Sequence, residues 1–219
     1  MIEQGSPEWF AERMGKVTAS RVADVIAKTK TGWGASRANY MAELVAERLT
    51  GNAAVRFQSA EMQWGSDQEP EARKTYEFMT NTTVEGAPFV PHRSIADTGA
   101  SPDGCVGTDG LVEIKCPNTA THIETLLGGS VPGKYVTQMQ WQMACTGRAW
   151  CDFVSFDPRL PPSMQIFIKR VQRDEASIKS LETDVVDFLS ELRLIVHRLL
   201  SLYEPETVKS GELLALAGG

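Results

Sequence analysis

The stretch from Gly110 to Cys116, Gly-Leu-Val-Glu-Ile-Lys-Cys, sets the tightest limit on the fold. Its period is two. In an extended chain Val112 and Ile114 point to one side, and Glu113 and Lys115 to the other. The first side is apolar and suits a hydrophobic core. The second sets two opposite charges together on an otherwise apolar strand, which is costly unless something uses them. A chain built around this stretch needs a sheet packed under Val112 and Ile114, and a polar site above Glu113 and Lys115.

The flanking sequence alternates between helical and extended periods. Residues 19–26 and 37–50 read as helices; in the second, Tyr40, Leu44, Val45 and Leu49 form an apolar stripe that Gly51 ends. A third helix is expected over 60–80, where Pro70 implies a kink or a first-turn position. Short strands follow at 84–90, 95–100 and 110–116, with turns at Pro102-Asp103-Gly104 and Asp109-Gly110. Beyond them come a helix over 134–146, strands over 149–157 and 163–171, and a long helix over 174–203. The stripe of Ile178, Leu181, Val185, Leu189, Leu192, Val196 and Leu199 on that last helix serves its own core or an oligomer contact. There is no repeat, low-complexity block or domain linker, so residues 1–203 are expected to form a single domain and 204–219 a mobile tail. Helices around a central group of strands predict an α/β protein with a central mixed β-sheet flanked by helices.

Composition excludes several function classes. No stretch approaches the roughly 20 apolar residues of a membrane span. The N-terminus MIEQGSPEWF has no basic start or apolar run, so a cytoplasmic protein is expected. The four cysteines form no CxxC pair and have no histidine at finger-like spacing, so they read as reduced thiols, not zinc ligands. His92, His122 and His197 are scattered, which gives a histidine-centred triad little support. The net charge of −6 disfavours sequence-independent coating of DNA. Arg13, Lys16, Arg21, Lys28, Lys30 and Arg37 either make a positive strip or belong to a solvated mixed surface.

The turn at Asp103 can bring its carboxylate beside Glu113. Two carboxylates converging on one point attract a hard divalent cation, which prefers oxygen ligands. The Ile114 carbonyl lies between the two charged side chains and can add a ligand. A bound Mg²⁺ or Mn²⁺ lowers the pKa of its water and stabilises charge on a phosphate. Lys115 is then placed to orient or deprotonate that water, or to meet the phosphate as a point charge.

Asp103 followed by Glu113-Ile114-Lys115 matches the PD-(D/E)XK nuclease pattern, and further blocks resemble the lambda-type phage alkaline exonucleases. These blocks are Trp9 with Arg13-Met14-Gly15-Lys16-Val17-Thr18-Ala19-Ser20, Trp64-Gly65 with Glu69 and Ala72-Arg73, Ala100 to Gly104, Leu111 to Pro117, and Tyr135 with Gln138-Met139-Gln140. They run in the family's order over residues 5–170. The resemblance implies the restriction-endonuclease-like fold and a role for each matching residue. Asp103, Glu113, the Ile114 carbonyl and Glu69 would hold two Mg²⁺ ions, for which Mn²⁺ substitutes. Lys115 would act on the water, and Gln138 would position the water or the scissile phosphate. Arg13, Ser20 and Ser101 would bind a 5′-terminal phosphate, Arg gripping it bidentately and the hydroxyls donating to its other oxygens. Met62 would wedge between strands at the duplex end, and Lys30 would touch a strand backbone.

Each implied role has a plainer alternative: Glu69 as an exposed helix carboxylate, Gln138 as a polar residue on a helix's exposed side, Arg13 as a surface arginine, Met62 as core. The family also implies a ring-shaped homotrimer on double-stranded DNA ends, a single-strand annealing partner, and a phage or prophage gene in a bacterial host. The N-terminus is shorter than the family's and the tail differs, which leaves partner contacts there open. The expected activity is 5′→3′ digestion of duplex ends to mononucleotides, leaving a 3′ overhang. Its rivals are a site-specific endonuclease with the same metal chemistry and a silent DNA-end-binding protein.

Overall fold

The computed structural model of the chain describes residues 5–54 and 59–203; the tail expected at 204–219 lies outside the described residues. Helix α1 (Pro7–Arg13), strand β1 (Val17–Thr18), helix α2 (Val22–Val25), hairpin strands β2 (Lys28–Thr29) and β3 (Gly32–Trp33), and helices α3 (Ala35–Thr50) and α4 (Ala60–Thr80) come first. Strands β4 (Val84–Glu85), β5 (Val90–Pro91), β6 (Thr98–Ala100), β7 (Gly104–Val106) and β8 (Gly110–Lys115) follow. Helices α5 (Thr119–Gly128) and α6 (Gly133–Thr146), strands β9 (Trp150–Phe156) and β10 (Ile166–Gln172), and helix α7 (Glu175–Tyr203) complete the order.

The stretch that limits the fold is β8, at the middle of a sheet ordered β10-β9-β8-β7-β4. It pairs antiparallel with β7 and parallel with β9, where Glu113 faces Phe153 and Lys115 faces Ser155. Parallel neighbours need a long crossover, and α5 and α6 supply it. The sheet is mixed and flanked by helices, as its sequence predicts. On one face Ala72 and Tyr76 of α4 pack with Val112, Ile114, Val84, Val106, Val154 and Phe156. On the other, Met139 and Met143 of α6 lie with Leu111, Cys151 and Phe153. The Glu113 side is therefore covered too, and Glu113 is wholly buried.

A second core gathers α2, α3 and α7 around Trp141 and Cys145, on the far side of α6. The α7 stripe from Leu181 to Leu192 is buried here, which settles its own-core alternative for those residues, and Ile178 is buried as well. Helix α6 belongs to both cores and is buried from Gln138 through Cys145. Beside it a small sheet, β1-β6-β5, sets Val17 against Thr98 in parallel register. The four cysteines are free thiols.

Several elements differ from expectation. Residues 19–26 open as a 3₁₀ turn over Ala19–Arg21 before the short α2. The single strand expected at 84–90 is two, in different sheets, split at a segment whose Pro88 cannot donate to a ladder. Gly104 starts β7 and does not end a turn; a Cβ there would collide with Val84 Cγ1, so only glycine lets β7 close on its neighbours. Pro70 sits well inside α4, not in its first turn. Helix α1 is capped by the Ser6 hydroxyl, which accepts from Trp9 N. Helix α5 starts on the Asn118 side chain and ends at left-handed Gly129, a cap pair that outweighs its threonine-rich start.

One buried group makes stability depend on pH. His92 Nδ1 accepts from the N–H groups of Ser94 (3.3 Å) and Ile95 (3.2 Å), which places the proton of the neutral ring on Nε2. Nε2 lies 3.3 Å from Glu182 Oε1 but is not aligned for a hydrogen bond. Burial lowers the His92 pKa; the Glu182 carboxylate opposes this, while Arg173 and Arg93 reinforce it, and the net shift is downward. The unfolded chain, with an ordinary pKa of about 6.5, binds the proton first. This contribution to stability is full above the unfolded value and is lost as pH falls through the folded one. Urea unfolding of wild type should therefore weaken more between pH 7.5 and 5 than that of His92→Gln, which can still accept a backbone N–H. Parallel pH profiles for the two proteins would reject the assignment.

Candidate active site

Strand β8 presents Glu113 toward α6 and ends on the part-exposed Lys115. Lys115 keeps 29% of its side-chain area exposed while Glu113 has none, and the two form an ion pair. Helix α6 closes over the carboxylate. Gln138 Nε2 donates to Glu113 Oε1 at 2.6 Å, and Gln142 Nε2 donates to Oε2 at 2.5 Å. Gln138 is thus buried against Glu113, not on an exposed helix face.

Asp103 enters from the connection between β6 and β7. Its Oδ2 accepts from the Ile114 N–H at 2.7 Å, and it is buried. Arg73 of α4 holds the same bend by donating to the Asp103 carbonyl at 2.6 Å. Glu69 lies one turn before Arg73 and 3.5 Å from its guanidinium. It is half-buried, which corrects the exposed-carboxylate alternative.

The electrostatics tie these groups together. Burial, then the nearby Asp103 charge, pushes the Glu113 carboxyl up to about 7 against the opposing pull of Lys115 and Gln142. Burial and Asp103 likewise raise Glu69, although Arg73 and Lys115 counteract them. At Lys115 burial disfavours the charge, but the Glu113 and Asp103 carboxylates outweigh it and hold the ammonium above its usual range.

Carboxyl groups whose pKa values are raised by burial and a neighbouring carboxylate, as at Glu113 and Glu69, suit a divalent cation, and the donor set is all oxygen: Asp103, Glu113, Glu69 and the Ile114 carbonyl. The set fits a hard cation in chemistry. Among the described residues, no three His, Cys, Asp or Glu side chains close on one point. Each carboxylate is instead held by a protein donor: Asp103 by Ile114 N–H, Glu69 by Arg73, and Glu113 by Lys115 and the two glutamines.

A second cluster lies two residues upstream of Asp103. Arg13 Nη1 donates to Ser101 Oγ at 2.6 Å, and its guanidinium stacks 3.9 Å from the Trp9 ring centroid. Gly15, at φ 68°, turns the chain out of α1, and Glu47 Oε2 accepts its N–H at 2.7 Å; this positions Arg13. Because β1 and β6 run parallel with Thr18 opposite Gly99, the continuing chains carry Ser20 and Ser101 off the same end of the pair. Ser20 is exposed there, with its Oγ 3.5 Å from Thr18 Oγ1.

The remaining sequence-derived residues lie apart. Met62 is 55% exposed on the first turn of α4, which removes its core alternative. Lys30 is exposed at the tip of the β2–β3 hairpin. The early basic residues do not make one strip: Arg21 pairs with Asp24 and Glu43, and Arg37 is buried on Glu191. Sequence reasoning missed Gln142. Its signal was the four-residue spacing from Gln138 on a segment with no charge between Lys134 and Arg148.

The chain matches the model of the YqaJ-like viral recombinase domain over residues 8–149. Among solved structures, it is similar to an alkaline exonuclease, LHK-Exo, from Laribacter hongkongensis. The two are 51% identical with a TM-score of 0.84, over 95% of this chain and 100% of that one. The same protein in complex with dAMP matches equally well. A phage-related exonuclease from Haemophilus somnus 129PT, 16% identical with a TM-score of 0.67, covers 87% of this chain and 99% of its own, and shares the fold. No curated protein sequence matches significantly. The order of motifs, the sheet that carries them and the extent of the match agree: the chain belongs to the YqaJ-like viral recombinase family, and its kinship is with the lambda-type alkaline exonucleases of the PD-(D/E)XK superfamily.

Proposed function

We propose that the chain is a magnesium-dependent 5′→3′ exonuclease acting on double-stranded DNA ends. The observation that carries this reading is the short path from the Arg13–Ser101 pair to Asp103, which joins an anion grip to the carboxylate centre. Two Mg²⁺ ions, held by Asp103, Glu113, the Ile114 carbonyl and Glu69 and replaceable by Mn²⁺, would supply Lewis-acid charge at the phosphate and a water of lowered pKa. Lys115 donates to that water or to a phosphate oxygen. Gln138, which donates to Glu113 at 2.6 Å, would keep that carboxylate in place and position the water or the scissile phosphate. Arg13, with Ser20 and Ser101, binds the 5′-terminal phosphate and so decides which end and which strand enter. Met62 on α4 and Lys30 on its hairpin, both exposed, take the parts of a wedge at the duplex end and a contact with a strand backbone.

The dAMP complex of the Laribacter relative supports mononucleotides as products. A homotrimeric ring on DNA, a single-strand annealing partner and a phage-type role in the bacterial cytoplasm belong to the same proposal. No helix among the described residues is long and apolar enough to cross a membrane.

End-labelled linear duplexes test the polarity: label at the 5′ terminus should be released first, and release from the 3′ terminus would overturn it. Arg13→Ala should erase the preference for 5′-phosphate over 5′-hydroxyl ends. The expected loss is about 10- to 100-fold, the worth of a charge-assisted hydrogen bond of ~1.5–3 kcal/mol. An unchanged ratio between the two ends would reject the phosphate grip.

A further inference from the structure

The three donors on Glu113 are not equivalent. Lys115 is part-exposed and Gln138 lies at the margin of the buried region, so both can turn toward a water or a phosphate oxygen. Both also sit on the same oxygen, Oε1. Gln142 is wholly buried and, among the described residues, alone holds Oε2, at 2.5 Å. Its surroundings are apolar: Met139 and Met143 flank it on α6, and Leu111, Cys151 and Phe153 lie beneath. Among the described residues, its side-chain Oε1 receives only the Cys151 thiol, at 3.9 Å. An amide in such a place is costly unless its hydrogen bond matters, and this one has a single strong partner.

We infer that Gln142 is a positioning residue that anchors Oε2 of Glu113, so that Oε1 is the oxygen Glu113 offers to a metal ion. This rests on the proposed metal-binding role of Glu113. The helical repeat accounts for the device: the turn that lays Met139 and Met143 on the sheet carries Gln138 and Gln142 to the two oxygens of one carboxylate. The rearrangeable donors share the oxygen that must be released, and the immobile donor fixes the other. Outer partners that orient a metal-binding side chain typically contribute about 10- to 100-fold in metal affinity.

Calorimetric titration of the full-length protein with Mn²⁺, without DNA, tests this. The proteins are wild type, Gln142→Met, Gln142→Asn and Glu113→Gln, with a thermal melt of each. Methionine fills the same volume among apolar neighbours and removes the donor; asparagine stays polar but is too short to reach Oε2. Both should bind Mn²⁺ about 10- to 100-fold more weakly while melting as folded proteins. Should Gln142→Met not fold, Gln142→Asn carries the comparison. A Kd within twofold of wild type in a folded Gln142 variant, with binding lost in Glu113→Gln, overturns the anchoring role alone. Wild-type binding by Glu113→Gln overturns the metal-binding reading beneath it. A purely structural Gln142 would lower the melting point and leave the Kd unmoved, which also counts against the inference.

Discussion

Asp103→Asn is expected to reduce digestion of linear duplex DNA by about 10³-fold or more, equivalent to ~4 kcal/mol of lost transition-state stabilisation, in a protein that stays folded. The substitution isolates the charge. Asparagine Oδ1 can take the Ile114 N–H that Asp103 Oδ2 now accepts at 2.7 Å, so the link between the bend and β8 survives. Arg73 donates to the Asp103 backbone carbonyl, which the substitution leaves untouched. Removing one carboxylate also relieves the repulsion it exerts on Glu113 and Glu69, so the unfolding free energy should stay within about 1 kcal/mol of wild type. Steady-state digestion with Mg²⁺ and with Mn²⁺, beside a urea titration, separates the two effects. Activity within tenfold of wild type would remove Asp103 from the centre.

Trp141→Ala should produce the largest loss of stability. The side chain is wholly buried, stacks on His92 at 5.0 Å between ring centroids, and donates from Nε1 to Thr98 Oγ1 at 3.2 Å. Thr98 in turn donates to the Val17 carbonyl at 2.7 Å, so one indole joins α6 to both β6 and β1. Truncating a buried tryptophan costs about 3–5 kcal/mol, because its neighbours relax only partly into the space. Trp141→Phe keeps an apolar ring and gives up the N–H, so it should cost only about 1–3 kcal/mol. The shift in urea midpoint at constant slope measures both. A loss below about 2 kcal/mol for the alanine variant would mean that the core closes around the missing ring. Since α6 also carries Gln138 and Gln142, the alanine variant should lose DNA digestion more than its folded fraction explains.

The legible parts of the chain were those in which a period repeats within one element. The 3.6-residue spacing of Tyr40, Leu44 and their neighbours marked α3, and that of Leu181 to Leu192 marked α7, because each stripe faces one core. The two-residue period marked β8. Two-residue strands carry no such signal. The hairpin β2–β3 and the split of 84–90 into β4 and β5 depend on which sheet edge is free to pair. Helix α5 was missed because its start rests on a capping side chain and not on a stripe.

What the sequence determined by itself was the chemistry of β8: a strand whose apolar side lies in the core under α4 and whose Glu113 and Lys115 project together on the other. That follows from backbone geometry within six residues and needs no partner. Only the tertiary structure decided what meets those two charges. The parallel pairing of β8 with β9 required α5 and α6 to cross over, and so brought Gln138 and Gln142 down on Glu113. The pairing of β1 with β6 brought Arg13 to Ser101, 88 residues away. Side chains so far apart in the chain meet only after strand order and helix packing are chosen, and those choices are made by the summed burial of whole faces.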